Sequence, residues 1–300
     1  MPLAAFTWTE FAQQIAAGIR EGAIYAGLAL ALVIIYRSTR VINFAQGEMA
    51  TFTTFVAWSL MNHGLSFWVA FPIVLAIAFA GGITIETVLI RPIENANVLT
   101  IVIVTLGLAL LINGLTSLIW GGGNRQFHGP FSTRTIDVGG VPISVQDIGI
   151  VVVSLALVVL LGLFFRFTKL GLALRASAVN PDSSRLVGVR VGWMLALGWG
   201  IAAVLGAVAG MMIAPVVFLD PNMMQTILLY AFAAAVLGGL DSPVGAVVGG
   251  ILLGVTITLL GRYVGFIGST LKLPTALLLI LLLLLVRPGG LFGRVAVRRV

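Results

Sequence analysis

Long apolar runs alternate with short polar breaks along almost the whole chain. Nine runs can be drawn, at 12–36, 44–61, 67–90, 98–120, 148–166, 193–214, 225–240, 244–262 and 272–287. A helix needs about 20 predominantly apolar residues to cross a bilayer, and most of the runs reach that length. The pattern predicts an all-α, polytopic integral membrane protein, with 1–300 forming one transmembrane domain. The first run opens on Gln13, Gln14, Arg20 and Glu21, which suits an interfacial start. The run 225–240 is short and ends in Gly238–Gly239, which suits a re-entrant segment as well as a span. The expected count is therefore eight or nine transmembrane helices.

The most charged break, Arg166 to Arg190, carries Arg166, Lys169, Arg175, Arg185 and Arg190 against the single acid Asp182. Cytoplasmic loops are enriched in Lys and Arg, so this break is expected inside. It also contains a helix signature: Asn180 as N-cap, Pro181 at the first helical position, Asp182 in the first turn and Gly188 just past the end. A short helix at the cytoplasmic face of a membrane domain suits the reception of force from a soluble motor. Arg37, Arg40, Arg91, Arg287, Arg294, Arg298 and Arg299 belong on the same side by the same rule. Nine crossings then place the N-terminus outside and the loop 121–147 outside. In that loop TIDVGGVPISV predicts a small hairpin or extended plug. Each half of the chain holds a broken, glycine-bearing polar segment, INFAQGE at 42–48 and LGGLDSPVG at 237–245. The odd loop parity would allow the halves to form an inverted repeat.

Composition narrows the class. Apolar residues make up 60% and charged residues 9%, which excludes an ordinary soluble domain. The formal charge of +7 lies between and after the apolar runs, so it reads as loop bias and not as a nucleic-acid surface. Without cysteine there is neither disulfide nor thiolate metal site. The 36 glycines include small-xxx-small pairs at Gly18/Gly22, Gly206/Gly210, Gly245/Gly249 and Gly250/Gly254, a spacing that lets helix backbones approach closely in lipid.

Polar groups inside a bilayer are costly and so informative. The first cluster is Asn43, Phe44, Gln46, Gly47 and Glu48, followed by Thr51, Thr53 and Thr54. It has two readings. A broken helix here would line a translocation path, since freed backbone groups are tolerated only under protein or water. Alternatively, Asn43 and Glu48 cap the second span at the interface. Glu86 is expected to snorkel or to pair with Arg91. Asn113 and Thr116 are expected to make interhelical hydrogen bonds, and Asp241 to cap a turn between two helices. His63 and His128 have no ligand partner at metal-site spacing. No phosphate-binding loop, Ser/His/Asp set or HExxH is present, so the chain is expected not to be an enzyme and not to hydrolyse ATP itself.

Four segments carry a resemblance. INFAQGEM at 42–49, GLALRASAVNPDSSRLVGV at 171–189, AAAVLGGLDSPVGAVVGG at 233–250 and LVRPGGLFG at 285–293 resemble motifs of the permease subunits of branched-chain amino acid ABC transporters. The likeness is to the high-affinity leucine/isoleucine/valine type, and the INFAQGE block favours the H-type subunit. It departs at Ser183, Ser184 and Arg185, where small residues are usual.

The resemblance implies one of two paralogous permeases in a bacterial cytoplasmic (inner) membrane. Its partners would be two ATPase subunits, which bind the ATP, and a periplasmic or extracellular substrate-binding protein. The substrate would be a branched-chain or related amino acid, with no cofactor in this chain. It also implies that the 171–189 loop holds a coupling helix, drawing on Arg175, Ala176, Asn180, Pro181, Asp182, Leu186, Val187 and Gly188. An ion- or proton-coupled secondary transporter acting alone, with Glu48 or Glu86 as proton site, is the alternative.

Overall fold

The computed structural model describes residues 7–268 and 270–293. Arg294, Arg298 and Arg299, expected on the cytoplasmic side, lie outside the described residues. The apolar runs become helices: α1 Trp8–Thr39, α2 Gln46–Asn62, α3 Phe67–Ile85, α4 Val98–Trp120, α5 Val145–Phe167, α8 Val191–Val217, α9 Met223–Gly238, α10 Pro243–Tyr263 and α11 Lys272–Val286. Two shorter helices, α6 Lys169–Val179 and α7 Pro181–Leu186, fill the basic break between α5 and α8.

Among the described residues six helices are long and apolar enough to cross a membrane: α1, α3 with its extension to Ile93, α4, α5, α8 and α10. The other three are shorter, with α2 at 17 residues, α9 at 16 and α11 at 15. At 1.5 Å per residue a 16-residue helix spans about 24 Å, less than a hydrocarbon core of about 30 Å. The polar start of the first run is not a separate interfacial element. Gln13, Gln14, Arg20 and Glu21 belong to the same continuous 32-residue helix. The expected hairpin is present, β1 Thr135–Val138 pairing antiparallel with β2 Val141–Ser144.

By contacts the chain divides into two compact units interleaved in sequence. One comprises 1–30, 130–155 and 226–300, the other 31–129 and 156–225.

In the first unit the glycine pairs meet each other. Gly18 and Gly22 of α1 face α10, where a Cβ at Gly18 would lie 2.6 Å from the Cα of Val255 and one at Gly22 2.7 Å from that of Ile251. The return face is as tight, for a Cβ at Gly250 would lie 2.6 Å from the Cα of Ala26, and one at Gly254 would strike the backbone of Gly18 and Gly22. Lipid tails give apolar side chains no reason to leave them for one another, so such backbone contact and its dispersion energy supply the attraction.

Two motifs quoted from the sequence also join here. The amides of Leu291 and Phe292, in the RPGGLFG segment, donate to the carbonyls of Leu237 (2.8 Å) and Gly238 (3.1 Å) at the end of α9. Those carbonyls would otherwise lack intrahelical partners. The start of α10 is capped by Ser242, whose Oγ accepts the Gly245 N–H at 3.0 Å.

In the second unit α8 packs on α2 and α3, and α2 packs on α3 and α4. Trp199, Leu205, Met211 and Met212 of α8 and Phe55 of α2 are fully buried. The outer faces of α4 and of the later part of α5 remain apolar and exposed, as at Leu110, Leu118, Val159 and Leu160. On a soluble protein such faces would be an anomaly, but in a bilayer they are what lipid covers.

Helix ends within this unit group by predicted side. A cavity touches the ends of α1 and α3, the starts of α4 and α8, and α6 and α7. At the other end Trp120 donates to Ser59 Oγ at 2.7 Å, Trp58 to the Gln126 carbonyl at 3.2 Å, and Arg125 pairs with Leu219 by backbone.

Candidate translocation site and coupling segment

The chain leaves α1 at Thr39, turns through Arg40 with φ 58°, and starts α2 at Gln46. This break lies inside the helix bundle of its unit. Gln46 Nε2 donates at 2.8 Å to the carbonyl of Ala202, the twelfth residue of α8. Asn43 Oδ1 accepts the Ala45 N–H at 3.0 Å, and its Nδ2 donates to Gln46 Oε1 at 3.3 Å. Asn43, Gln46, Gly47 and Glu48 are buried, and Phe44 is half-buried. Asn43 and Gln46 thus form one polar staple that satisfies the broken backbone and ties it to α8. The N-cap residue of α2 is Ala45, with no side-chain cap bond.

Glu48 points elsewhere. Its carboxylate accepts from Asn113 Nδ2 at 3.1 Å, and Asn113 is the sixteenth residue of the 23-residue α4. Asn113 Nδ2 also lies 3.0 Å from the Pro221 carbonyl and 3.0 Å from Asn222 Oδ1. Gln225 Nε2 donates to the same Asn222 oxygen at 2.9 Å, and Asp220 accepts the Asn222 N–H at 2.8 Å. The result is a polar cluster joining α2, α4 and the segment before α9.

Asn113 is therefore the interhelical group the sequence suggested. Thr116 is not, since its hydroxyl donates back to the Ile112 carbonyl of its own helix at 2.7 Å. Thr51, Thr53 and Thr54 also donate within α2. Sequence reading missed Asp220, Asn222 and Gln225; the one available signal was a polar Asp-Pro-Asn step between two apolar runs. It also missed an ion pair in the other unit, Arg20 to Asp147 at 2.9 Å, beside Glu21, Tyr25 and Thr258. Among the described residues no group of three His, Asp or Glu could hold a metal ion.

The basic break is built as its local chemistry dictates. Thr168 caps α6 by accepting the Gly171 N–H at 2.9 Å. Asn180 Oδ1 caps α7 by accepting the Ser183 N–H at 2.9 Å, with Pro181 at the first position. At the other end the Val189 amide donates to the Ser184 carbonyl and the Gly188 amide to that of Arg185, both at 3.0 Å. With Gly188 at φ 84° this pair of bonds is a Schellman closure, which needs the left-handed residue that glycine supplies. Ser184 is buried and donates to the Asn180 carbonyl at 2.8 Å, and Arg185 pairs with Asp182 at 3.2 Å. Arg175 is half-buried on α6 and Ala176 is exposed beside it. The closing turn leaves two apolar side chains in the open, Leu186 at 89% exposure and Val187 at 78%.

A family described as "Branched-chain amino acid transport system / permease component" matches residues 14–286. The chain belongs to this family. The permease LivH of Salmonella typhimurium is 30% identical over 97% of this chain and 98% of its own length. The permease BraD of Pseudomonas aeruginosa is 31% identical over the same shares. A probable LivH of Methanocaldococcus jannaschii is 30% identical over 92% of each.

The branched-chain permease family is one of ABC-importer membrane subunits, and this chain is such a permease subunit. Three of the four segments that carried the resemblance, INFAQGEM, the glycine-rich late segment and the RPGGLFG ending, lie at backbone breaks where helices meet. The fourth contains α7.

Proposed function

We propose that this chain forms half of the translocation path of an ATP-driven importer for branched-chain or related amino acids. In this reading it works as one domain beside a second, paralogous permease, with two ATPase subunits and a substrate-binding protein. What carries the reading is 30% identity to LivH sustained over nearly the whole of both chains. In the same reading the protein sits in a bacterial inner membrane with eight or nine crossings, α7 at the cytoplasmic face and the β1–β2 hairpin outside. Purification of the native complex tests it: an ATPase and a second permease should copurify in stoichiometric amounts, and a chain purified alone at full transport activity would refute it.

Orientation has its own test, since the sequence contains no cysteine. Val179→Cys and Thr133→Cys, both at exposed positions, should label from opposite faces of sealed vesicles, Val179 from the cytoplasmic one. Labelling of both from the same face would contradict the topology.

The path, in this proposal, runs past the break at Asn43, Phe44, Gln46, Gly47 and Glu48, with divided roles. Asn43 and Gln46 hold the break on α8, while Glu48 and Asn113 offer polarity to the substrate's charged head between apolar helices. Glu48→Gln keeps the size and removes the charge. Charged hydrogen bonds are worth roughly 1.5–3 kcal/mol, so import per folded complex should fall about tenfold or more. Gln46→Leu should cost about 1 kcal/mol of stability and leave import per folded complex close to wild type. Uptake normalised to folded protein checks both. Wild-type uptake by Glu48→Gln removes Glu48 from the path.

A further inference from the structure

The end of α3 is irregular in a way that couples its geometry to one ion pair. After Ile85 the chain forms a single π turn, Glu86–Ile90, and then a 3₁₀ turn, Arg91–Ile93. The Arg91 amide donates to the Glu86 carbonyl, the i→i+5 bond of a π turn. In an α-helix residues five apart point about 140° apart, at 100° per residue. The wider π turn instead brings the two side chains together. Arg91 reaches the Glu86 carboxylate with Nη at 2.8 Å and Nε at 3.3 Å, and Thr87 donates to it at 3.2 Å. Glu86 is only 1% exposed, so removing Arg91 would strand a buried charge.

The same arginine touches a second helix. Its Nη donates at 2.8 Å to the carbonyl of Gly192 in the first turn of α8. A Cβ at Gly192 would sit 3.5 Å from the guanidinium carbon. Gly192 follows the Schellman closure of α7 by only four residues. Between α7 and the π turn lies a cavity of about 290 Å³, lined by Glu86 and Ile90 on one side and Ser177, Pro181, Asp182 and Arg185 on the other. The Ser177 Oγ is buried there without a hydrogen-bond partner. There is thus space for α7 to shift, and α8 is the element it would drag.

We propose that Glu86 and Arg91 are positioning residues that couple the α6–α7 segment to transport. The pair stabilises the π register of α3 and clasps it to the start of α8. When α7 moves, Arg91 exchanges its hold on Gly192 and the turn relaxes toward α-helical register, which rotates the end of α3 against α8. The inference rests on the importer reading above. A π turn and an adjoining 3₁₀ turn are features found often at functional hinges, and a turn with two registers provides the two-state element that coupling needs.

The test is the amount of ATP hydrolysed per solute imported, measured on the complete importer in proteoliposomes. Arg91→Lys keeps the charge but cannot hold Glu86 and Gly192 together, and Glu86→Gln removes the ion pair. Both variants should assemble and hydrolyse ATP while the ratio of hydrolysis to import rises about tenfold for Glu86→Gln and less for Arg91→Lys. A ratio unchanged from wild type, whether both rates persist or both fall together, would overturn the proposal and leave the pair a structural one. If Glu86→Gln does not assemble, the ratio for Arg91→Lys decides alone. Failure of the wild-type complex to import on ATP would instead refute the importer reading itself, so the two failures are distinct.

Discussion

Replacing Leu186 and Val187 together with aspartate is expected to abolish ATP-driven import while the subunit still inserts and folds. Both side chains already face outward at the closing turn of α7, so the change costs the isolated chain little. Their value lies in being covered. In the proposed complex this turn enters a groove on the ATPase, and burying two carboxylates there would cost several kcal/mol each. Apolar anchors at the centre of an interface account for 2 kcal/mol or more, about 30-fold in affinity. Import should therefore fall by about two orders of magnitude or more. Copurification of the ATPase with the double variant, together with wild-type import, would show that α7 is not the docking element.

The crossing of α1 and α10 should tolerate almost no added side chain. A Cβ at Gly254 collides with the backbone of Gly18 and Gly22, which cannot step aside as a flexible side chain could. Gly254→Leu must push the two helices apart along their whole contact, at a cost of about 3 kcal/mol or more, the upper range for overpacking. Little folded protein should survive detergent extraction. Gly162→Leu on α5, where an added Cβ meets nothing within 4 Å, is the control and should extract as wild type. Thermal unfolding in detergent reads the difference. Equal melting of the two variants would mean that the glycine pairs are not what brings these helices together.

What could be read in the sequence was what is local. Each of the nine apolar runs became a helix, six of them long enough to cross a membrane, because length and hydropathy suffice to make a membrane helix. The cap chemistry from Asn180 to Gly188 described α7 residue by residue because each bond spans only a few residues. The Glu86–Arg91 pair was also within reach, at a separation of five, although the π turn that makes it possible was not.

Contacts across long separations were hidden. Nothing near Gln46 points to Ala202, 156 residues on, so the break before α2 could be taken for an interfacial cap. Asn113 and Thr116 read alike as polar residues in one span. Only packing shows that Asn113 meets α2, while Thr116 is satisfied by its own helix. Arg20 and Asp147 lie 127 residues apart and gave no sign of their ion pair.

The central claim is that this permease works on ATP and with partners, and not on an ion gradient alone. It is tested most directly by uptake of labelled leucine into proteoliposomes that hold the complete complex, with the binding protein and substrate outside and ATP trapped within. The account predicts accumulation that needs ATP, persists when ionophores collapse every ion gradient, and is competed by valine and isoleucine. Uptake that proceeds without ATP and stops on adding the ionophore would contradict it.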